Sequence, residues 1–247
     1  MAKKRLDCLL VERGLAPSRQ RAQSFIMAGL VLVDGSPGRK AGDMVAEDAA
    51  ITVKGCDMPY VSRGGLKLEA ALDAFSVDPT GLFCLDIGAS TGGFTDCLLS
   101  RGARAVLAVD VGYGQFAWKL RQDPRVTLLE RTNIRNLTID MMPGPADIIV
   151  IDVSFISLTL VLPKAKELLS GGGRIIPLVK PQFEVGKGLV GKKGVVRDPV
   201  LHAGVLDSII KFAQNYGFNC LGPVESPLLG PEGNKEFLLC LAMNTVD

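Results

Sequence analysis

The chain has 247 residues, 47% of them apolar, and a formal net charge of +2. That is enough to bury the core of one mid-sized domain and a small one, which excludes a disordered or fibrous chain. The charge balance names no partner, because only local clustering marks a nucleic-acid surface.

Lys3, Lys4 and Arg5 precede only a short apolar stretch, Leu6 to Val11, interrupted by Asp7, so no signal peptide is read there. The most apolar run, Ile148 to Pro163, is broken by Asp152, Ser154, Ser157 and Thr159 and falls short of the ~20 residues of a bilayer span. A soluble, cytoplasmic protein without a membrane partner is expected. Cys8, Cys56, Cys84, Cys97, Cys220 and Cys240 are scattered with no C-x-x-C pair, so reduced thiols are expected and neither a metal site nor a disulfide framework. The single histidine, His202, falls in a predicted helix near Asp198 and is assigned capping or packing, not chemistry.

Residues 1–58 read as a small α+β domain. Leu6, Leu9 and Leu10 recur at helical spacing; a second helix has Ser18 as its N-cap, Ala22, Phe25 and Ile26 on one face, and Gly29 as its terminator. Val31–Val33 then enters an Asp34-Gly35 turn, Val45 begins another extended stretch, and Ile51–Val53 is the last strand before Gly55. Up to Lys40 the segment carries eight basic residues against three acidic ones. Arg19 and Arg21 fall in the first turn of the second helix, where backbone N–H and guanidinium groups can hold phosphate oxygens, although a merely solvated helix would look the same. The pattern R-L-D-x-x-L-V-E-R-G-L-A followed by S-R-x-x-A-x-x-x-I-x-A-G-x-V-x-V-D-G resembles the S4 RNA-binding domain. That resemblance implies recognition of structured RNA by Arg5, Arg19, Arg21 and the strand beyond Gly29.

Residues 59–247 form the second predicted domain, joined through a short linker around 55–60 that would let both domains engage one RNA. Strand-like runs (83–87, 105–109, 126–129, 148–151, 174–179) alternate with predicted helices (94–100, 115–120, 160–169). This is the signature of an α/β, Rossmann-like sheet with helices on both faces, completed by a helix over 199–216 and an apolar run over 237–242. Ligands of such sheets sit at the carboxyl ends of the strands.

The first of these strands ends in Asp86-Ile87-Gly88-Ala89-Ser90-Thr91-Gly92-Gly93-Phe94. Four adjacent small residues between two glycines exceed what a tight turn needs and let a backbone approach a nucleotide-like ligand. A dinucleotide fingerprint would place glycine at Ser90, which disfavours a hydride-transfer enzyme. The run D-x-G-x-x-x-G-G instead resembles the S-adenosylmethionine loop. Asp110, at the end of the second strand, is where a carboxylate takes hydrogen bonds from ribose hydroxyls in either cofactor.

Asp152, Lys180 and Glu236 stand at strand ends on the ligand side, with Lys67 upstream in Gly64-Gly65-Leu66-Lys67. Charges abutting buried strands are costly unless paired or used, and a structural salt-bridge set is the alternative reading. The Lys-Asp-Lys-Glu set resembles that of FtsJ-type ribose 2′-O-methyltransferases, and the chain from Arg5 to about Ala242 resembles the TlyA hemolysin/rRNA methyltransferase family. The stretches S-R-G-G-L-K-L (62–68), L-D-I-G-A-S-T-G-G-F-T-D (85–96), I-D-V-S-F-I-S-L (151–158), L-V-K-P-Q-F-E (178–184) and N-K-E-F (234–237) carry the likeness. It implies a catalytic tetrad of Lys67, Asp152, Lys180 and Glu236, S-adenosylmethionine as cofactor, and a cytidine ribose of ribosomal RNA in assembled subunits as target.

In methyl transfer from a sulfonium to a ribose hydroxyl, what remains for the protein is to activate the hydroxyl. A partly neutral Lys180 would accept its proton, or a charged one would stabilise the developing alkoxide. Asp152 and Glu236 would orient the lysine and the ribose, and Lys67 would add positive potential. After the fourth strand stands Asp-Val-Ser-Phe, not an Asn/Asp-Pro-Pro-aromatic run, which favours ribose over a flipped base. A glycine-rich stretch between Glu184 and Arg197, with Lys187, Lys192 and Lys193, is either a clamp on RNA or a solvated loop. The rival readings are a non-catalytic RNA-binding protein, a dinucleotide oxidoreductase and a membrane-active haemolysin; for the last, no spanning segment or basic amphipathic helix is found.

Overall fold

A computed structural model describes residues 3–13, 15–16, 18–38, 40–54, 59–186, 188–191 and 194–243. The linker residues 55–58 and the lysines Lys187, Lys192 and Lys193 lie outside the described residues. The chain divides into two compact units, 1–58 and 59–247.

In the first unit, β1 (Lys3–Arg5) leads into α1 (Leu6–Glu12) and α2 (Arg19–Met27), followed by β2 (Val31–Val33), β3 (Ser36–Pro37), β4 (Met44–Ala46) and β5 (Ile51–Val53). Ser18 caps α2 by accepting the Arg21 backbone N–H, and Gly29, at φ +69°, follows its last turn. Asp34 and Gly35 both have positive φ, the geometry that closes the β2–β3 hairpin with the right twist. The short strand β1, unannounced by its basic composition, pairs antiparallel with β4. Leu6, Leu10, Ala22, Phe25, Ile26 and Val31 make the small core.

The second unit begins with α3 (Gly64–Ala74) and continues through β6 (Phe83–Ile87), α4 (Gly93–Ser100), β7 (Ala105–Val109), α5 (Trp118–Arg121), β8 (Val126–Leu129), β9 (Ala146–Ile151), α6 (Leu162–Glu167), β10 (Leu169–Val179), α7 (Pro181–Glu184), α8 (Pro199–Asn215), β11 (Phe218–Glu225) and β12 (Phe237–Met243). The seven strands run in the order β11-β12-β10-β9-β6-β7-β8, with β12 antiparallel to both its neighbours and the rest parallel. Side chains alternate between two cores: Leu85, Leu107 and Ile149 face α6 and α8, while Cys84, Val106 and Ile148 face α3 and α4. The predicted α/β sheet with helices on both faces is therefore present. Among the described residues no helix is long and apolar enough to cross a membrane, and no cluster could hold a metal ion.

Three predicted elements differ. The helix expected over 115–120 shrinks to α5, because Gly112 and Gly114 precede it and the Ala117 N–H is drawn to the Thr91 carbonyl. The helix expected over 160–169 splits into a 3-10 turn at Leu158–Leu160 and α6, and β10 starts at Leu169, five residues before the predicted strand, absorbing Gly171–Gly173 through a shift in register. Strand β11 was hidden by Gly222-Pro223 in its middle, which the fold accommodates at the sheet edge with an irregular register.

Candidate active site

The carboxyl ends of β6, β9 and β10, the start of β12 and the first turns of α3 and α4 converge on one cavity of about 260 Å³. Gly88, at φ +85°, begins its loop wall. A Cβ there would stand 2.9 Å from the Asp152 carbonyl carbon and closer still to its oxygen, so only glycine lets the end of β6 touch the end of β9. Gly93 similarly lets α4 approach α3, since its Cβ would lie 3.0 Å from the Gly65 nitrogen and overlap Ser62 Oγ.

Of the residues predicted for the cofactor, Gly88, Ala89, Ser90, Thr91, Gly93 and Phe94 line this cavity, and Asp86, Gly92 and Asp110 do not. Gly92, at φ +96°, is the N-cap of α4. Asp110 accepts the Ser90 and Gly112 backbone N–H groups, each at 2.6 Å, and so holds Ser90 in its positive-φ conformation. Asp86 is fully buried beneath the loop, where it accepts the Thr95 hydroxyl at 2.6 Å; its other oxygen accepts no hydrogen bond among the described residues. Burial pushes its carboxyl up to about 7, against the Thr95 hydrogen bond and with the Asp152 and Asp110 charges adding to the rise.

Lys67, Asp152, Lys180 and Glu236, separated by as many as 169 positions, all line the cavity. They form two ion pairs: Lys67 with Glu236, and Lys180 Nζ with Asp152 Oδ1 at 2.6 Å. Lys67, Lys180 and Glu236 are buried. Lys180 Nζ donates to Ser154 Oγ at 3.0 Å, and among the described residues neither Asp152 Oδ1 nor Glu236 Oε1 accepts a hydrogen bond.

Several residues at the cavity were not singled out from the sequence. Ser62 and Arg63 line it, as do Leu229 and Gly230, whose glycine leaves room for the Glu236 carboxylate. Phe155 holds a positive φ and is 91% exposed, with its ring 5.0 Å from that of Phe183. The half-buried Glu184 ties this loop down by accepting the Ser157 hydroxyl at 2.6 Å and the Leu158 N–H at 2.8 Å, and burial raises its carboxyl above the usual value. A positive-φ phenylalanine leaves no mark in composition or periodicity. His202, by contrast, is buried against Phe237 with Nε2 2.9 Å from the Val196 carbonyl, a packing position as expected.

In the first unit, Arg5 and Arg19 both donate to the buried carboxylate of Asp7. The Arg5 guanidinium leads in holding that carboxyl well below the usual range. Arg21 lies over the Phe25 ring at 4.8 Å.

Comparison with known proteins follows this division. A model of the FtsJ-like methyltransferases matches residues 60–243, and one of the S4 domain matches residues 4–51. The 16S/23S rRNA (cytidine-2′-O)-methyltransferase TlyA of Mycobacterium tuberculosis is 52% identical over 242 residues, covering 98% of this chain and 90% of that protein. A solved structure from Streptococcus thermophilus that bears a hemolysin name superposes with a TM-score of 0.78 at 45% identity, over 98% of this chain and 89% of the other. The O-methyltransferase TomG of Streptomyces achromogenes, solved in complex with SAM, shares the fold at 17% identity and a TM-score of 0.51, over 74% of this chain and 81% of that one.

Proposed function

Because the chain belongs to the FtsJ-like methyltransferases and, within them, to the TlyA family, we propose that it transfers a methyl group from S-adenosylmethionine to the 2′-hydroxyl of a cytidine in ribosomal RNA. The observation that carries this reading is the convergence of Lys67, Asp152, Lys180 and Glu236 on one cavity with the loop 88–94 as its wall. That wall suits the cofactor: its residues are small apart from Phe94, and its backbone is preset by Asp110. Each Asp110 oxygen keeps a lone pair for a ribose hydroxyl after accepting one N–H.

S-adenosylmethionine supplies an electrophilic methyl on a sulfonium. The chain must then place and activate the hydroxyl. Lys180, ion-paired with Asp152 and donating to Ser154 Oγ, keeps hydrogen-bonding capacity for the ribose oxygen, where as an ammonium it stabilises the developing negative charge and as a neutral amine it takes the proton. Glu236 offers its unpartnered Oε1 as an acceptor for the ribose, and Lys67 holds Glu236 in place. Phe155 and Phe183 offer aromatic faces beside Lys180, suited to stacking on a base of a locally opened strand. Arg5, Arg19 and Arg21 of the S4 domain are assigned to RNA contact, and the ribosomal RNA target implies a cytoplasmic protein.

Lys180→Ala is expected to abolish methyl transfer to purified ribosomal subunits while leaving S-adenosylmethionine affinity, read by calorimetry, within about twofold, because a group acting only on the nucleophile adds little to cofactor binding. Nuclease digestion of radiolabelled product should place the wild-type label on ribose. Full turnover by Lys180→Ala, or label on a base, would overturn the reading.

A further inference from the structure

Asp7, at the start of α1, is completely buried. A carboxylate so placed is tolerated only when its oxygens are well occupied. Oδ1 accepts Arg5 Nε at 3.0 Å, and Oδ2 accepts Arg5 Nη2 at 3.0 Å, Arg19 Nη2 at 3.1 Å and Gln23 Nε2 at 3.0 Å. The donors come from the end of β1 and the first two turns of α2. Yet the two arginine side chains remain about half exposed, at 47% and 56%.

The charge count is the informative feature. Satisfying a folding carboxylate takes one guanidinium and the neutral Gln23; a second guanidinium from another element leaves the cluster with a surplus positive charge facing solvent. Two guanidinium groups sharing one carboxylate oxygen repel each other, and an anion arriving at their solvent side would relieve that repulsion. Toward Asp7, Arg5 commits Nε and Nη2 and Arg19 commits Nη2, so among the described residues part of each fork is not spent on the carboxylate. The remaining N–H groups have the planar arrangement that matches phosphate oxygens.

We propose that Asp7 is a positioning residue that presets Arg5 and Arg19 as a paired guanidinium fork for a phosphodiester group of structured RNA. The inference rests on the RNA-binding reading of the S4 domain, and it assigns that domain a phosphate contact organised by a buried acid.

The test separates position from charge. Asp7→Asn in the full chain adds one net positive charge, so charge alone predicts tighter RNA binding and a steeper salt dependence. Positioning predicts the opposite: about fivefold weaker binding to purified 30S and 50S ribosomal subunits by filter retention, with a salt slope flatter by about one phosphate (~0.7–0.9 in log K per log salt). The KM for subunits should rise and kcat hold. Arg5→Ala and Arg19→Ala serve as the separate check on RNA contact. If these two leave affinity unchanged, the RNA reading of the arginines fails. If they weaken binding while Asp7→Asn binds as well as or better than wild type, the role given to Asp7 is overturned. Should Asp7→Asn lose cooperative unfolding, Asp7→Glu keeps the charge and displaces the fork by one methylene; it is expected to weaken binding, and unchanged affinity in that variant refutes the proposal.

Discussion

Asp86→Asn should change how the stability of the catalytic unit depends on pH. In the folded chain the Asp86 carboxyl titrates at about 7, against 3.8 for the unperturbed group, because burial penalises its charge more than the Thr95 hydroxyl stabilises it. Between about pH 4 and pH 7 the folded state therefore keeps a proton that the unfolded chain has released. With more protons bound to the folded state, stability falls as pH rises through that window and levels off above it. A displacement of about three pH units at ~1.36 kcal/mol each makes the swing about 4 kcal/mol. Asparagine mimics the protonated acid and does not titrate. It carries its own cost of ~1–3 kcal/mol if its amide lacks a partner where the unpartnered oxygen of Asp86 lies, but that cost does not vary with pH. The variant's stability relative to wild type should therefore improve by about 4 kcal/mol from pH 4 to pH 8. Urea unfolding at half-unit steps measures it, followed by fluorescence of Trp118, the chain's one tryptophan, which lies in the same unit. Parallel curves for the two proteins across that range would refute the assignment of a buried, mostly neutral acid.

Two further substitutions probe the walls of the cavity. Gly230→Ala places a Cβ 2.6 Å from Glu236 Cδ and nearer still to Oε1, so the carboxylate must leave its place beside Lys67; turnover should fall by about 10²-fold, as for a catalytic group misplaced by an ångström, with cofactor affinity by calorimetry nearly intact. Glu184→Ala strips the Ser157 hydroxyl and Leu158 N–H of their acceptor; it should cost ~1–3 kcal/mol in chemical denaturation and lower kcat through the Ser154–Phe155 loop, whereas unchanged kcat would disconnect that loop from the reaction.

What the sequence revealed and what it hid follow from the range of the forces involved. Strands β6, β7 and β8 and helices α2, α4 and α8 were legible because period and capping are local properties of a few adjacent residues, as with Ser18 at α2. The loop 88–93 was legible because backbone contact such as that of Gly88 with Asp152 admits only glycine. Helix α3 escaped the pattern although Lys67 within it was noticed, since it begins at Gly64-Gly65, residues that argue against a helix start and are there because Tyr60 and α4 pack so close. The pairing of Lys67 with Glu236 and of Lys180 with Asp152 was not predicted in that form, because it depends on strand order, and β12 inserts between β11 and β10 against sequence order. Phe155 and Glu184 were missed for a related reason: a left-handed backbone and a tie between two loops are tertiary facts.

The competing view of the four charged residues is that they are salt bridges of the fold, and the energetics of burial argue against it. An ion pair taken out of water loses about as much solvation as it gains in attraction, and well-packed apolar residues of like volume serve stability as well or better. Two such pairs in one cavity, reached from α3, the ends of β9 and β10 and the start of β12, are therefore poor structural devices. Nor are they closed as structural pairs would be. Asp152 keeps a quarter of its side chain accessible, Asp152 and Glu236 each have an oxygen that accepts no hydrogen bond among the described residues, and all four border an open space next to the glycine loop. Charges held in place yet left incompletely satisfied are what a transition state requires, since the interactions that speed a reaction are those completed only as it proceeds.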